Sequence, residues 1–251
     1  MFNKIYYLIG CLTILICLLP KDEAKQLPDS LKKCDRQNPE CMRNTTETVL
    51  RIWDELPSEF NLPSINPLKI DKLQLKKEGN ADFQFNAKYH DILLYGSNNI
   101  RILEFTGDIE NGIHAKGFIP VYNVTCDYIL SGKLLLFQFK GRGTGGLILT
   151  NTTIDSWLYF EKFNGDDGEE YIKLKEAKVD LAPKKIEVIV HNDPKDINPE
   201  ISKLLETSIN ENAFALWEEF EPVFNKNLAK VFISYVNKFI SQVPLKDLFL
   251  N

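Results

Sequence analysis

Residues 213–241 read AFALWEEFEPVFNKNLAKVFISYVNKFIS, and their apolar positions recur at spacings of three and four. Ala213, Leu216, Trp217, Phe220, Phe224, Leu228, Val231 and Tyr235 form one stripe, which Phe214, Phe232, Val236, Phe239 and Ile240 widen toward half the circumference. A helix with so broad an apolar face is enclosed by other structure rather than laid on a surface. No glycine occurs from Pro199 to Ser241. If continuous, that helix would be about 65 Å long, at roughly 1.5 Å per residue. Pro222 has no N–H to donate and crowds the preceding turn, so it is expected to kink or split the helix.

The enclosing structure is read upstream. From Leu68 to about Val190 the apolar period changes to two, as in Asp82–His90 (DFQFNAKYH), where Phe83, Phe85, Ala87 and Tyr89 share a side. Similar runs lie at Leu68–Leu75, Ile92–Phe105, Gly112–Val124, Tyr128–Phe139, Leu147–Phe160, Tyr171–Leu181 and Ile186–Val190. Turn signals separate several of them, at Gly79-Asn80, Gly107-Asp108, Asn164–Gly168 and Asn192–Pro194; Gly96–Asn99 and Ser131-Gly132 fall inside runs as turns or bulges. With no helices between the strands, the expectation is an antiparallel meander. Runs such as Leu134–Phe139 (LLLFQF) are apolar on both faces, as in a sheet whose concave side is covered. The fold class is therefore α+β, an antiparallel sheet whose concave side is covered by a long C-terminal helix. A shorter helix, capped by Asn38 and begun by Pro39, carries Met42, Thr46, Val49, Trp53 and Leu56 on one face and ends at Leu56-Pro57.

The N-terminus reads as a targeting segment. Lys4 precedes an apolar run of about 15 residues, Ile5–Leu19, which suits a signal peptide better than the roughly 20 residues of a membrane span. Residues 1–24 are assigned to it, with cleavage between Leu19 and Gln26, and 25–251 to a single domain with no stable membrane insertion. Of five cysteines, Cys34, Cys41 and Cys126 remain after cleavage. In an oxidising compartment the local pair Cys34–Cys41 is the natural disulfide, leaving Cys126 either buried as a small hydrophobe or free for an intermolecular bond. Asn44, Asn123 and Asn151 each open a glycosylation sequon.

Several chemistries are set aside. A net charge of −5 without a basic stripe argues against nucleic acid. Gly141–Gly146 (GRGTGG) fits a dinucleotide fingerprint, but a β-branched strand, Leu147–Ile154, follows it where a helix is required. A glycine-rich bend between curved strands is expected instead. His90, His114 and His191 lack ligand spacing, so no metal site is expected. Asp166, Asp167, Glu169 and Glu170 around Gly168 suit a solvated hairpin tip better than an EF-hand. With no G-x-S-x-G elbow and no cofactor motif, no enzymatic activity is expected.

The ordered set of features resembles the insect takeout and haemolymph juvenile hormone binding protein family over the mature length. It comprises Leu27-Pro28 with Cys34 and Cys41, Ile65-Asn66-Pro67-Leu68, and Cys126-Asp127-Tyr128 with Gly132–Leu136 and the Gly141-Arg142-Gly143 bend. It ends with Ile209–Asn212 leading into Trp217 and the tail Val243–Phe249. The resemblance implies a long C-terminal helix wrapped by a strongly curved antiparallel β-sheet, a tubular lipid-binding fold, with an apolar tunnel for juvenile hormone or another lipid-like ligand. It aligns Tyr159 with the tyrosine that anchors the ligand's polar end in the hormone-binding branch. No mature cysteine follows Cys126, so the second disulfide of that branch is absent and the pattern is closer to takeout.

The expected function is a secreted carrier of a small hydrophobic ligand, such as a juvenile hormone-like terpenoid, a fatty acid or a similar lipid. Phe83, Phe85, Leu134, Leu136, Phe214, Trp217, Phe220, Phe224 and Val231 are expected as core or tunnel wall. A protein-interaction or membrane-surface module on the same fold would instead show a large exposed apolar patch and no cavity.

Overall fold

A computed structural model describes residues 24–77, 83–134, 137–197 and 199–250, so the expected signal peptide lies outside the described residues. Helix α1 (Pro39–Ile52) begins as its sequence dictates: the Asn38 side chain accepts from the Cys41 N–H at 3.0 Å, and Pro39 occupies the first turn. Seven antiparallel strands follow: β2 (Leu68–Lys77), β3 (Phe83–Tyr95), β4 (Arg101–Asp108), β5 (Gly112–Leu134), β6 (Phe137–Asn164), β7 (Glu170–Ala182) and β8 (Lys185–Asn192). Helices α2 (Pro199–Glu211), α3 (Ala213–Ile240) and α4 (Leu245–Leu248) close the chain. Two short strands, β1 (Cys34–Asp35) and β9 (Phe249–Leu250), pair in parallel and clasp its two ends together. Cys34 and Cys41 form the expected disulfide.

The sheet is organised by β5 and β6, which pair along nearly their whole length and change outer partners at one point. β5 pairs with β4 up to Phe118 and with β3 from Asn123; β6 pairs with β8 up to Thr150 and with β7 from Thr153. Between them, Pro120 and Asn151 drop out of the ladder. Proline has no N–H to donate, and Asn151 takes a left-handed φ of 50°, so both strands bend at the same place. The result is two sheet halves, β2-β3-β5-β6-β8 and β4-β5-β6-β7, curled around α3 into a half-barrel.

Several expectations are corrected. The long helix breaks at Asn212, whereas Pro222 stays inside α3. Pro222 faces solvent, where water can satisfy the carbonyl deprived of its donor one turn earlier. Of the two alternatives at Gly96–Asn99 the turn holds, at Ser97–Asn99, and it divides the run Ile92–Phe105 between β3 and β4. Gly96 leads into it with a φ of 111°, and a Cβ there would stand 2.5 Å from the Val121 carbonyl. The runs Gly112–Val124 and Tyr128–Phe139 belong to longer strands whose register is continuous through Ser131-Gly132, which is neither a turn nor a bulge. The Gly141–Gly146 stretch lies within β6 rather than between strands. A Cβ at Gly143 would sit 1.9 Å from the His191 carbonyl, so glycine is required by the close approach of β8.

The edges of the sheet are covered by side chains borrowed from helices. On β7, the Leu174 N–H donates to Asn237 Oδ1 at 2.7 Å, and Asn237 Nδ2 donates back to the Leu174 carbonyl at 2.9 Å. Asn210 repeats this on β8, bonding both the N–H and the carbonyl of Val188 at 2.7 and 2.8 Å. Glu47 of α1 accepts from the Ile102 N–H of β4 at 2.9 Å, and the Tyr235 hydroxyl accepts from the Lys69 N–H of β2 at 3.4 Å. Each outer strand thus has backbone groups engaged by a helix, which is how an open curled sheet avoids pairing with another chain.

Candidate functional site: an apolar cavity under the C-terminal helix

The two halves of α3 meet different surroundings. Its N-terminal half sits in the core: Ala213, Trp217 and Phe224 join Ile70, Leu94, Ile119 and Leu149 in one buried cluster and do not line the cavity described next. Its C-terminal half faces α1 as well as the sheet, and the three surfaces do not close. Between them lies a cavity of about 320 Å³, at the lower end of the volumes of small-molecule sites. Val49, Leu50 and Trp53 form one wall, Ile102, Phe105, Ile113 and Ala115 another, and Ile154, Leu158, Phe160 and Ile172 a third. Phe232, Val236, Phe239 and Ile240 of α3 roof it, while Leu31, Leu248 and Phe249 from the clasped chain ends close one side.

Trp53, Phe60 and Phe239 hold this end rigid. The Trp53 and Phe239 rings meet edge to face with centroids 6.0 Å apart, and Phe60 lies 5.2 Å from Phe239 on another side. The Trp53 indole N–H donates to the Pro63 carbonyl at 2.8 Å. The polar content of the wall is small. The Ser97 and Tyr122 hydroxyls, both buried, bond each other at 3.2 Å, and burial pushes the Tyr122 phenol up to about 12. Tyr122 therefore remains a neutral hydroxyl at physiological pH.

The cavity adjoins an outer polar basin of about 360 Å³, lined by Ser30, Asn38, Glu40, Asn44 and Thr48. Lys32 and Thr45 line both spaces. Across this neck the Thr45 hydroxyl donates to the Lys32 carbonyl at 3.3 Å and contacts the Cys34 sulfur at 3.2 Å. The disulfide straddles the neck, with Cys34 on the cavity side and Cys41 on the basin side.

Of the residues expected as core or tunnel wall, several are core and none with a described side chain lines this cavity. Leu136 lies outside the described residues, and Phe83, Phe85 and Leu134 are located by backbone register only, with Phe83 opposite Leu134 and Phe85 opposite Gly132. That is twelve positions along β5 from Tyr122, or about 40 Å of extended strand. Trp217 and Phe224 are core residues, their rings 5.6 Å apart, and Phe220 and Val231 pack against the same cluster. Phe214 is 50% exposed. Tyr159 is 45% exposed because its neighbours Leu158 and Phe160 face the cavity, and alternation along a strand turns it outward. None of these described side chains touches the cavity. The wall residues Val49 and Trp53 belong to the α1 stripe, whose apolar face required a partner that the sequence did not name.

Of the sequon asparagines, Asn44 and Asn151 are exposed and Asn123 is half-buried on β5. Cys126 is a free thiol, half-buried, and burial followed by the nearby Asp127 carboxylate pushes it up to about 11. Relative to an ordinary thiol of pKa 9.0, thiolate at pH 8 is then about a hundredfold scarcer. Because a thiolate of higher pKa is also the stronger nucleophile, native protein should react with a soluble aromatic disulfide reagent about tenfold more slowly than guanidinium-unfolded protein. Equal rates in the two states would show an accessible, unperturbed thiol.

Comparison with known proteins now places this architecture. Takeout 1 of Epiphyas postvittana superposes with a TM-score of 0.74 at 20% identity, over 88% of this chain and 100% of that one, and so shares its fold. The circadian clock-controlled protein daywake of Drosophila melanogaster is 21% identical over 257 residues, spanning 96% of this chain and 94% of its own. Its counterpart in Drosophila yakuba is 19% identical over 238 residues, or 91% and 90% of the two chains. The profile described as haemolymph juvenile hormone binding protein matches residues 11–250. The chain belongs to the takeout and haemolymph juvenile hormone binding protein family.

Proposed function

We propose that this protein is a secreted, non-enzymatic carrier that holds one small hydrophobic molecule, a terpenoid, fatty acid or similar lipid, in the cavity between α1 and α3. The observation that carries the reading is the cavity itself, a space of about 320 Å³ walled almost entirely by aliphatic and aromatic side chains. Such a space is costly to leave empty, because its lining forgoes contacts on one side. It is also poorly suited to water, which needs two to four polar partners. A chain of about fifteen carbons moved from water into it gains on the order of 10 kcal/mol before the costs of association. The family membership supports a hydrophobic cargo, and the Cys34–Cys41 disulfide and the apolar run Ile5–Leu19 support export. The interaction-module alternative required a filled interior, so the cavity favours the carrier.

One preparation tests both parts. The full sequence is expressed in insect cells, and the medium is collected and extracted with organic solvent. The expected result is protein in the medium whose extract yields an apolar compound near one equivalent by mass spectrometry. After delipidation the protein should take up N-phenyl-1-naphthylamine with saturable one-to-one fluorescence. Retention in the cells would refute export. An empty extract together with no uptake of the reporter would refute the carrier.

A further inference from the structure

Lys32 is the one charged residue among the described residues that line the cavity; it lines the polar basin as well and is exposed. Its sequence neighbour Lys33 is neutralised by Asp247 at 3.1 Å, whereas Lys32 makes no ion pair among the described residues. The hydrogen bond from Thr45 to the Lys32 carbonyl holds the Lys32 backbone at the boundary of the two spaces. Of the other polar residues on the wall, Ser97 and Tyr122 bond each other, the Tyr235 hydroxyl accepts from the Lys69 N–H, and Thr46 and Ser156 are uncharged. Glu40 is the carboxylate on the basin, facing the same space as Lys32. A molecule occupying both compartments would therefore have an apolar chain inside and a single anionic head at the neck.

We propose that Lys32 forms a head-group subsite selecting single-chain carboxylates. The proposal rests on the carrier reading and adds which end of the ligand faces out and what chemistry it carries. A carboxylate beside the ammonium gains a charge-assisted hydrogen bond that an ester of the same chain cannot make. Because the basin is open to water and Glu40 opposes an anion there, the gain is modest, about tenfold in affinity rather than the larger factor of a buried pair.

The test is displacement of bound N-phenyl-1-naphthylamine from the full mature chain by tetradecanoate and by methyl tetradecanoate. Wild-type protein should prefer the acid by about tenfold, and the preference should weaken at high salt. Lys32→Met should erase it while leaving the ester's affinity within twofold, and Lys32→Arg should keep most of it. Equal binding of acid and ester by wild type, or an unchanged preference in Lys32→Met, would overturn the subsite and leave the carrier reading standing. A parallel loss of both ligands in Lys32→Met would also overturn it, since that marks a structural role. If neither ligand nor reporter binds wild type, the carrier reading fails and this inference with it.

Discussion

Ala115→Trp should abolish uptake of a hydrophobic reporter while leaving the fold intact. Ala115 sits on β5 between Phe105 of β4 and Ser156 of β6, and all three line the cavity. An indole at that position projects into space the ligand would occupy. Overpacking a filled core costs about 1–3 kcal/mol, but here the added atoms enter an existing void, so stability should change by less than about 1 kcal/mol. Displacing even four methylenes of ligand forfeits about 3 kcal/mol, which corresponds to more than a hundredfold in affinity. Val49→Trp, entering from the opposite wall on α1, should have the same effect. Val121→Trp, at a site 48% exposed on the sheet's outer surface, should bind as wild type. Circular dichroism and thermal melts establish that each variant is folded. Wild-type affinity in both cavity variants would mean that the ligand binds elsewhere.

That experiment also isolates what the sequence could not convey. The period of two from Leu68 onward and the three-and-four spacing after Ala213 follow directly from strand and helix geometry, and both elements form where that pattern lies. The Asn38 cap and the Cys34–Cys41 pair are likewise local, settled by residues within one or two turns. The cavity is different because it consists of an absence. Trp217 and Phe239 occupy the same apolar stripe of α3, yet one packs in solid core and the other roofs the cavity. The difference depends on what faces each of them, and beside Phe239 that is Trp53 and Phe60, from the other end of the chain. Pro120 and Asn151 are equally opaque when read singly. Only their juxtaposition across the β5–β6 ladder makes the pivot that separates the packed half of the sheet from the hollow one.

The hollow half must nonetheless stay closed at its edge, and this makes Asn237 the most consequential polar residue on α3. Its amide pairs with both backbone groups of Leu174, at 2.7 and 2.9 Å, in the place a further strand would occupy beside β7. Leu174 itself is 1% exposed. Asn237→Ala would remove two hydrogen bonds and leave a partly buried N–H and carbonyl without partners, at a cost of about 2–3 kcal/mol. For a chain of this size, that lowers the midpoint of thermal unfolding by about 5–10 °C. Asn237→Asp separates amide pairing from shape. It keeps the acceptor for the Leu174 N–H but sets a second acceptor against the Leu174 carbonyl, so it should be no more stable than Asn237→Ala. The freed edge also exposes ladder groups on β7, and light scattering should show the Ala variant aggregating at concentrations where wild type does not. A melting midpoint unchanged in both variants would show that the pairing is incidental and that apolar contacts of α3 alone hold β7 in place.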